Sequence, residues 1–191
     1  MVADVTVVGT GIIALTAAIE IADRGHSVRL VGTTHSGNAS SAAGGMLAPS
    51  VHPGSGPAQR FAIASRDFYP SFVAALADRS GLNIPFNSAG TLEVAANDAE
   101  AEELKAIMPA TSEWLTGGQL ALEEPSLAPM AGGVLHPLDC SVEPRALMDA
   151  LSAVVARHDH IVTAREDCCE LHASDLGCNV HTDMESRFAS D

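Results

Sequence analysis

Residues 5–18, Val-Thr-Val-Val-Gly-Thr-Gly-Ile-Ile-Ala-Leu-Thr-Ala-Ala, decide how the rest of the chain is read. The first four are a β-branched run of strand character, and Gly9-Thr-Gly11 closes it. From 12 to 24 apolar residues recur at helical spacing, Gly25 follows as a helix-ending residue, and 27–31 is a second run of strand length. The unit is therefore expected to be βαβ. Within it Gly9-x-Gly11-x-x-Ala14 carries the GxGxx(G/A) spacing between a strand and a helix, the context that gives this pattern meaning. Gly9 permits the tight turn, Gly11 lets the backbone approach a pyrophosphate, and small Ala14 allows close packing of helix on strand. The N–H groups at the helix start face the anion. A dinucleotide is the expected ligand.

One element of that pattern is missing. About twenty residues beyond the glycines an Asp or Glu normally receives a ribose hydroxyl, and here that place is Gly32. Water, Thr33, Thr34 or the backbone must take over, or affinity falls. No Arg stands just after the strand to receive a 2′-phosphate, so NADP gains nothing from the loss.

Outward from this start, 33–56 is rich in Gly, Ser, Ala and Pro and too long for an idle connection, which marks it as functional. The spacing predicts a helix over 60–79 with a kink or break at Pro70. It predicts one or two strands over 83–96 around Gly90, and a helix over 98–108 with Asp98 as N-cap. A strand at 132–136 and a helix over 144–157 follow, with Pro144 in the first turn. Short extended runs at 161–163, 168–172 and 178–182, with a turn at 175–177, complete the reading, and no closing element is expected before Asp191.

Composition narrows the function. The chain has 191 residues, 47% of them hydrophobic, 18% charged and only 4% aromatic, so it is globular and lacks a stacking surface for nucleic acid. Twenty-four acids against ten bases give a net charge of −14, which repels a phosphate backbone. No acid stands between Asp23 and Asp67, whereas Arg24, Arg29, Arg60 and Arg66 do, and this gap is expected to favour an anionic cofactor. Cys140, Cys168, Cys169 and Cys178 form no CxxC pair, which fits a reducing cytoplasm better than a disulfide framework or a zinc knuckle. The apolar stretch 5–22 is interrupted by Thr6, two glycines and Glu20, so neither a membrane span nor an export signal is expected. His158-Asp-His160, with His172 and His181, reads more simply as surface chemistry than as a metal site, and no metal is expected. No GxSxG elbow suggests a serine hydrolase.

Three stretches, in order, match one family. The opening residues 5–18, then Ala39-Ser-Ser-Ala-Ala-Gly-Gly-Met-Leu-Ala-Pro49, then Asp139-Cys-Ser-Val-Glu-Pro-Arg-Ala-Leu-Met148 resemble the FAD-dependent glycine oxidase/D-amino-acid oxidase family, including glycine oxidases of thiamine biosynthesis. Gly90-Thr-Leu92 and Glu124-Pro-Ser-Leu127 look like further landmarks. The resemblance implies an α/β fold: a Rossmann-like FAD-binding domain over 1–82 and 140–191, and an inserted portion of an α+β substrate domain over 83–139. It implies FAD as cofactor, with Gly9, Gly11, Ile12, Ile13 and Ala14 at the pyrophosphate turn and Gly32 and Thr33 at the adenosine ribose. Ser40 and Ser41 would lie near the phosphates, and Gly44, Gly45 and Met46 would flank the flavin. Cys168 would sit beside the adenine and make contact through its backbone.

The chemistry implied is hydride transfer from the Cα–H of a small amine or amino acid to the flavin, giving an imine and, after reoxidation by oxygen, hydrogen peroxide. The Arg and Tyr residues that hold substrate in this family have no counterpart here, so the chain reads as C-terminally truncated and no catalytic residue is assigned. The competing expectation is a non-catalytic dinucleotide-fold module that needs a partner chain. An incomplete parallel sheet also predicts association with itself or with another chain.

Overall fold

The computed structural model describes residues 3–34, 38–51, 53–174, 177–184 and 186–190. The elements run β1 (Val5–Val8), α1 (Ile12–Asp23), β2 (Val28–Val31), α2 (Ala39–Ala42), β3 (Met46–Leu47) and α3 (Gly56–Ser80). β4 (Phe86–Asn87), β5 (Thr91–Ala95), α4 (Asp98–Ile107), β6 (Glu113–Thr116), α5 (Gly117–Glu123), β7 (Gly132–His136) and β8 (Cys140–Val142) follow. The chain continues through α6 (Pro144–Arg157), β9 (Ile161–Ala164), β10 (Cys168–Ser174), β11 (Gly177–Thr182) and β12 (Arg187–Ser190). It forms two compact units, one of Met1–Gly44, Ala74–Ile84 and Pro144–Asp191, the other of Gly45–Val73 and Pro85–Glu143.

The first unit is built on the predicted βαβ start. β1 pairs with β2 in parallel, Val5 to Val8 against Val28 to Val31, and β2 pairs in parallel with β9, giving the order β1-β2-β9. Parallel strands need helices over them to bury their apolar residues. α1 contributes Leu15, Ala18, Ile19 and Ala22 to the core and α6 contributes Leu147, Ala150, Leu151 and Val154, against Val28, Leu30 and Val31 of β2. Each fully buried Leu or Val stabilises the unit by about 1.5–3 kcal/mol before ordering costs are subtracted. At the end of α1, Asp23 receives Arg79 at 2.6 Å and His158 at 3.0 Å, and these contacts hold its carboxyl below the usual range.

A second, antiparallel sheet of order β10-β11-β12 belongs to the same unit. β12 was not expected; it pairs with β11 from Cys178↔Ser190 to His181↔Arg187, and Phe188 lies under the Arg29 guanidinium, 4.5 Å from ring centroid to Cζ. The register of β10 on β11 shifts between Cys168 and Glu170, a bulge at Cys169. The strands read at 161–163, 168–172 and 178–182 are therefore present and longer than expected. The turn expected at 175–177 lies largely outside the described residues.

The second unit holds two antiparallel sheets, β3-β8-β4 and β5-β7-β6. Its division from the first differs from the boundaries at 82/83 and 139/140 that the resemblance implies. Gly45 and β3 go with the second unit because Met46 and Leu47 pair with Ser141 and Cys140, while the Gly45 carbonyl accepts from Val142 N–H at 3.0 Å. Strand pairing across nearly a hundred positions of sequence leaves no local trace in composition.

Two further expectations need correction. α3 runs unbroken through Pro70, which is exposed, so the ring is accommodated on the outer side of a helix whose neighbouring turns remain intact. α4 is capped by Asn97, not Asp98: the Asn97 side chain accepts from Glu100 N–H at 3.1 Å, and Glu100 returns a contact to Ala96 N–H at 2.8 Å. No helix among the described residues is long and apolar enough to cross a membrane.

Candidate functional site: a cleft over the glycine turn

The β1–α1 turn adopts the geometry its glycines allow. Gly9 has φ +124°, where a side chain is strained, and its N–H donates to Val31 O at 2.8 Å, tying the turn to the end of β2. A Cβ on Gly9 would lie 3.3 Å from the Ala14 methyl, so both positions require small residues. Gly32 approaches the same turn: its Cβ would lie 3.1 Å from Thr10 Cγ2 and 3.2 Å from the Gly9 carbonyl carbon. A side chain at position 32 would press on the turn by a few tenths of an ångström, so this backbone favours Gly there in place of the acid.

Above these glycines lies a cleft of about 480 Å³, lined by Gly9, Gly11, Gly32, Thr33, Asn38, Asp167 and Cys168, among others. The short α2 brings Ser40 to it. Asn38 caps α2 by accepting from Ser40 N–H at 3.1 Å, and the Ser40 hydroxyl oxygen in turn accepts from Ile12 N–H at 3.1 Å. Ser40 therefore occupies one of the unpaired amides at the start of α1 and keeps its own O–H as a donor. Thr33 is fixed from two sides: its carbonyl accepts from Thr10 Oγ1 at 2.9 Å, and its hydroxyl donates to Asp167 Oδ1.

The residues singled out from the sequence are only partly gathered by the structure. Gly9, Gly11, Gly32, Thr33 and Cys168 line this cleft, with Ile12 and Ala14 in the turn beside it and Ile13 pointing outward, 79% exposed. Ser41 instead faces a neighbouring cleft of about 540 Å³ shared with Met148 and Ser152 of α6 and with Arg165. Gly44 closes the first unit, whereas Gly45 and Met46 belong to the second. There Met46 is exposed at the start of β3, paired with Ser141.

Two of the four arginines in the acid-free gap are matched by carboxylates. Arg24 pairs with Glu20 at 2.7 Å, and Arg66 is buried in the second unit, bonded to Asp67 at 2.7 Å and to Asp139 at 3.1 Å. Burial works against the Arg66 charge, and the bonds to Asp67 and Asp139 more than offset it, so its pKa stands above the ordinary value. Asp139 is fully buried and also accepts from Ser50 N–H at 3.2 Å and Ser50 Oγ at 2.8 Å. Next to it, burial pushes the Cys140 thiol up in pKa, which suits an inert core residue rather than a nucleophile.

Among the described residues, Glu170, His172 and His181 bring ligand atoms within 4.8 Å of one another. They share one face of the β10–β11 hairpin, with Glu170 and His172 exposed to competing water. His158, by contrast, is engaged by Asp23. Sequence reasoning missed Asp167 and Asn38: neither sits in a motif, and Asp167 meets Thr33 across 134 residues of sequence.

Comparison with known proteins places this geometry. The family described as "FAD dependent oxidoreductase" (DAO) matches residues 4–182. The glycine oxidase of Geobacillus kaustophilus is 32% identical over 163 residues, covering 80% of this chain and 43% of that protein. The bifunctional protein ThiO/ThiG of Trichormus variabilis is 31% identical over 160 residues, covering 80% and 24%. The crystal structure of the Geobacillus kaustophilus glycine oxidase superposes with a TM-score of 0.88 at 30% identity, covering 98% of this chain and 53% of that one. The chain spans about half the length, or less, of the relatives it matches. With the glycine turn at its start and the match running along nearly all of its length, the chain belongs to the FAD-dependent oxidoreductase family.

Proposed function

We propose that this chain binds FAD over the β1–α1 turn and serves the oxidation of the CH–NH group of a small amine or amino acid, in the manner of a glycine oxidase. The observation that carries the reading is that Gly9, Gly11 and Gly32 line one cleft, with Gly32 packed on the Gly9 main chain, which leaves bare backbone where a pyrophosphate needs to come close. The donor set agrees: α1 begins at the cleft with its first amides, and Ser40 adds a hydroxyl. The flavin, when bound, accepts the hydride from the substrate carbon.

The residues of the chain do the holding. Gly9 and Gly11 give the phosphates access to the start of α1, Ile13 presents its backbone N–H, and Ser40, held by the Ile12 N–H, donates its O–H. Thr33 stands at the ribose, and Cys168 offers its backbone to the adenine at the far rim. Ser41 supports α2 from the side of α6. Gly44, Gly45 and Met46 are the proposed contacts of the flavin ring, with Met46 as a soft, adaptable surface. The four free cysteines support a reducing, cytoplasmic setting.

The test is peroxide release. With the purified protein loaded with FAD and supplied with glycine, sarcosine or D-alanine, a peroxidase-coupled assay is expected to report peroxide above the FAD-free control with at least one of the three. Flavin held in full amount with no peroxide from any of them would replace the oxidase reading with that of a flavin-holding module dependent on another chain.

A further inference from the structure

The residue that normally receives the adenosine ribose is absent from the end of β2, where this backbone leaves little room for a side chain. A side chain on Gly32 meets the main chain of Gly9 at 3.2 Å. A cleft that binds a dinucleotide still has to satisfy two ribose hydroxyls, which are donors as well as acceptors, and a site that leaves them without a partner loses the hydrogen bonds they made in water.

Acceptors around the cleft are few. Asn38 spends its side-chain oxygen on Ser40 N–H, and the Thr33 carbonyl is taken by Thr10. The Thr33 hydroxyl is committed as a donor to Asp167. Among the described lining residues Asp167 alone carries a carboxylate. It reaches the cleft because β9 ends beside Gly32, whose N–H donates to Ala164 O at 3.1 Å, after which the chain turns back over the end of β2 toward Thr33.

Its position is held firmly by others. Asp167 N–H donates to Asp183 Oδ1 at 2.9 Å, and its carbonyl accepts from Asp183 N–H at 3.0 Å, so the backbone is clamped to the residues that follow β11. The bond from Thr33 then fixes the direction of the carboxylate. A carboxylate has about four lone-pair positions on two oxygens, so the bond from Thr33 does not exhaust its capacity as an acceptor.

We propose that Asp167, oriented by Thr33, is the acceptor for the adenosine ribose hydroxyls, doing from the β9–β10 connection what an acid at the end of β2 does elsewhere. This rests on the FAD reading given above. It also gives the cleft a preference: a negative carboxylate at the ribose repels a 2′-phosphate, so the unphosphorylated ribose is selected.

The experiment compares FAD with its analogue carrying 2′-deoxyadenosine, by calorimetry on the full chain and on Asp167→Asn, with Asp167→Glu as a second variant. The unaltered chain is expected to bind FAD roughly ten- to a hundredfold tighter than the deoxy analogue, the range for a hydrogen bond to a charged group. Asp167→Asn is expected to lose most of that preference, binding the two ligands nearly alike, while Asp167→Glu keeps part of it. A purely structural role for Asp167 would weaken both ligands equally and leave their ratio intact, and that result overturns the inference while FAD binding stands. Failure of the unaltered chain to bind FAD at all overturns the FAD reading and this inference together.

Discussion

Asp139→Ala is expected to destabilise the protein by about 3 kcal/mol, toward the lower end of what removing one partner of a buried ion pair costs. Asp139 has no exposed surface and Arg66 only 7%, so the substitution leaves a guanidinium buried, together with the Ser50 hydroxyl and amide that Asp139 satisfied. The bond from Arg66 to Asp67 softens the loss, but Asp67 is largely exposed and its pull is weakened by water. For a chain of this size the shift in Tm is roughly 6–12 °C, readable by calorimetry or thermal circular dichroism. The double replacement Arg66→Met with Asp139→Leu is expected to recover much of it, because it removes both charges instead of stranding one. A loss under about 1 kcal/mol for Asp139→Ala would mean that the pair is not buried as described. Within the second unit, Leu47 of β3 pairs with Cys140 next to Asp139, so a loosened Ser50 segment also loosens β3 on β8.

Gly11→Val is expected to weaken FAD binding about a hundredfold, or about 2.7 kcal/mol at 1.36 kcal/mol per tenfold change, with a smaller loss of stability because valine is a poor N-cap and presses on Ser40. The two glycines of the turn differ in a way that makes this the cleaner substitution. Gly9 has φ +124°, so any replacement there strains the backbone and mixes folding with binding. Gly11 is the N-cap of α1 with φ −81° and ψ 176°, an extended conformation that valine adopts readily. What valine adds is bulk: a Cβ at this position already stands 3.0 Å from Ser40 Oγ, and its two methyl groups cover the amides where the pyrophosphate must come. Flavin fluorescence quenching gives the affinity and a thermal melt gives the stability. Undiminished FAD affinity in a folded Gly11→Val protein would show that no phosphate approaches the start of α1.

How much of this could be read in advance follows from the range of the interactions. The β1–α1–β2 start, the 132–136 strand and the α6 helix were legible because their signals are local: apolar period, glycine turn, proline in a first turn. α2, β6, α5 and β12 were missed because each is short, with few apolar residues in phase. Thr116 and Gln119 do form a capping box for α5, and its T-x-x-Q pattern was visible in the sequence as a usable signal. The charge count is a weaker guide than it looks, although the cofactor of the family is an anion. Counting arginines between Asp23 and Asp67 ignores partners outside the window, and Arg24 and Arg66 find theirs in Glu20, Asp67 and Asp139. Asp167 lay beyond sequence reasoning altogether, because its meaning comes from Thr33 and from the crowding at Gly32, both of which exist only once β9 lies against β2.

Whether the glycine turn holds FAD in this chain is read from a visible absorption spectrum after loading with FAD and desalting. A retained flavin spectrum close to one FAD per chain is expected, with FMN, which lacks the adenosine half, washed away under the same conditions. Loss of FAD on desalting, or equal retention of FMN, would mean that the turn does not hold the dinucleotide.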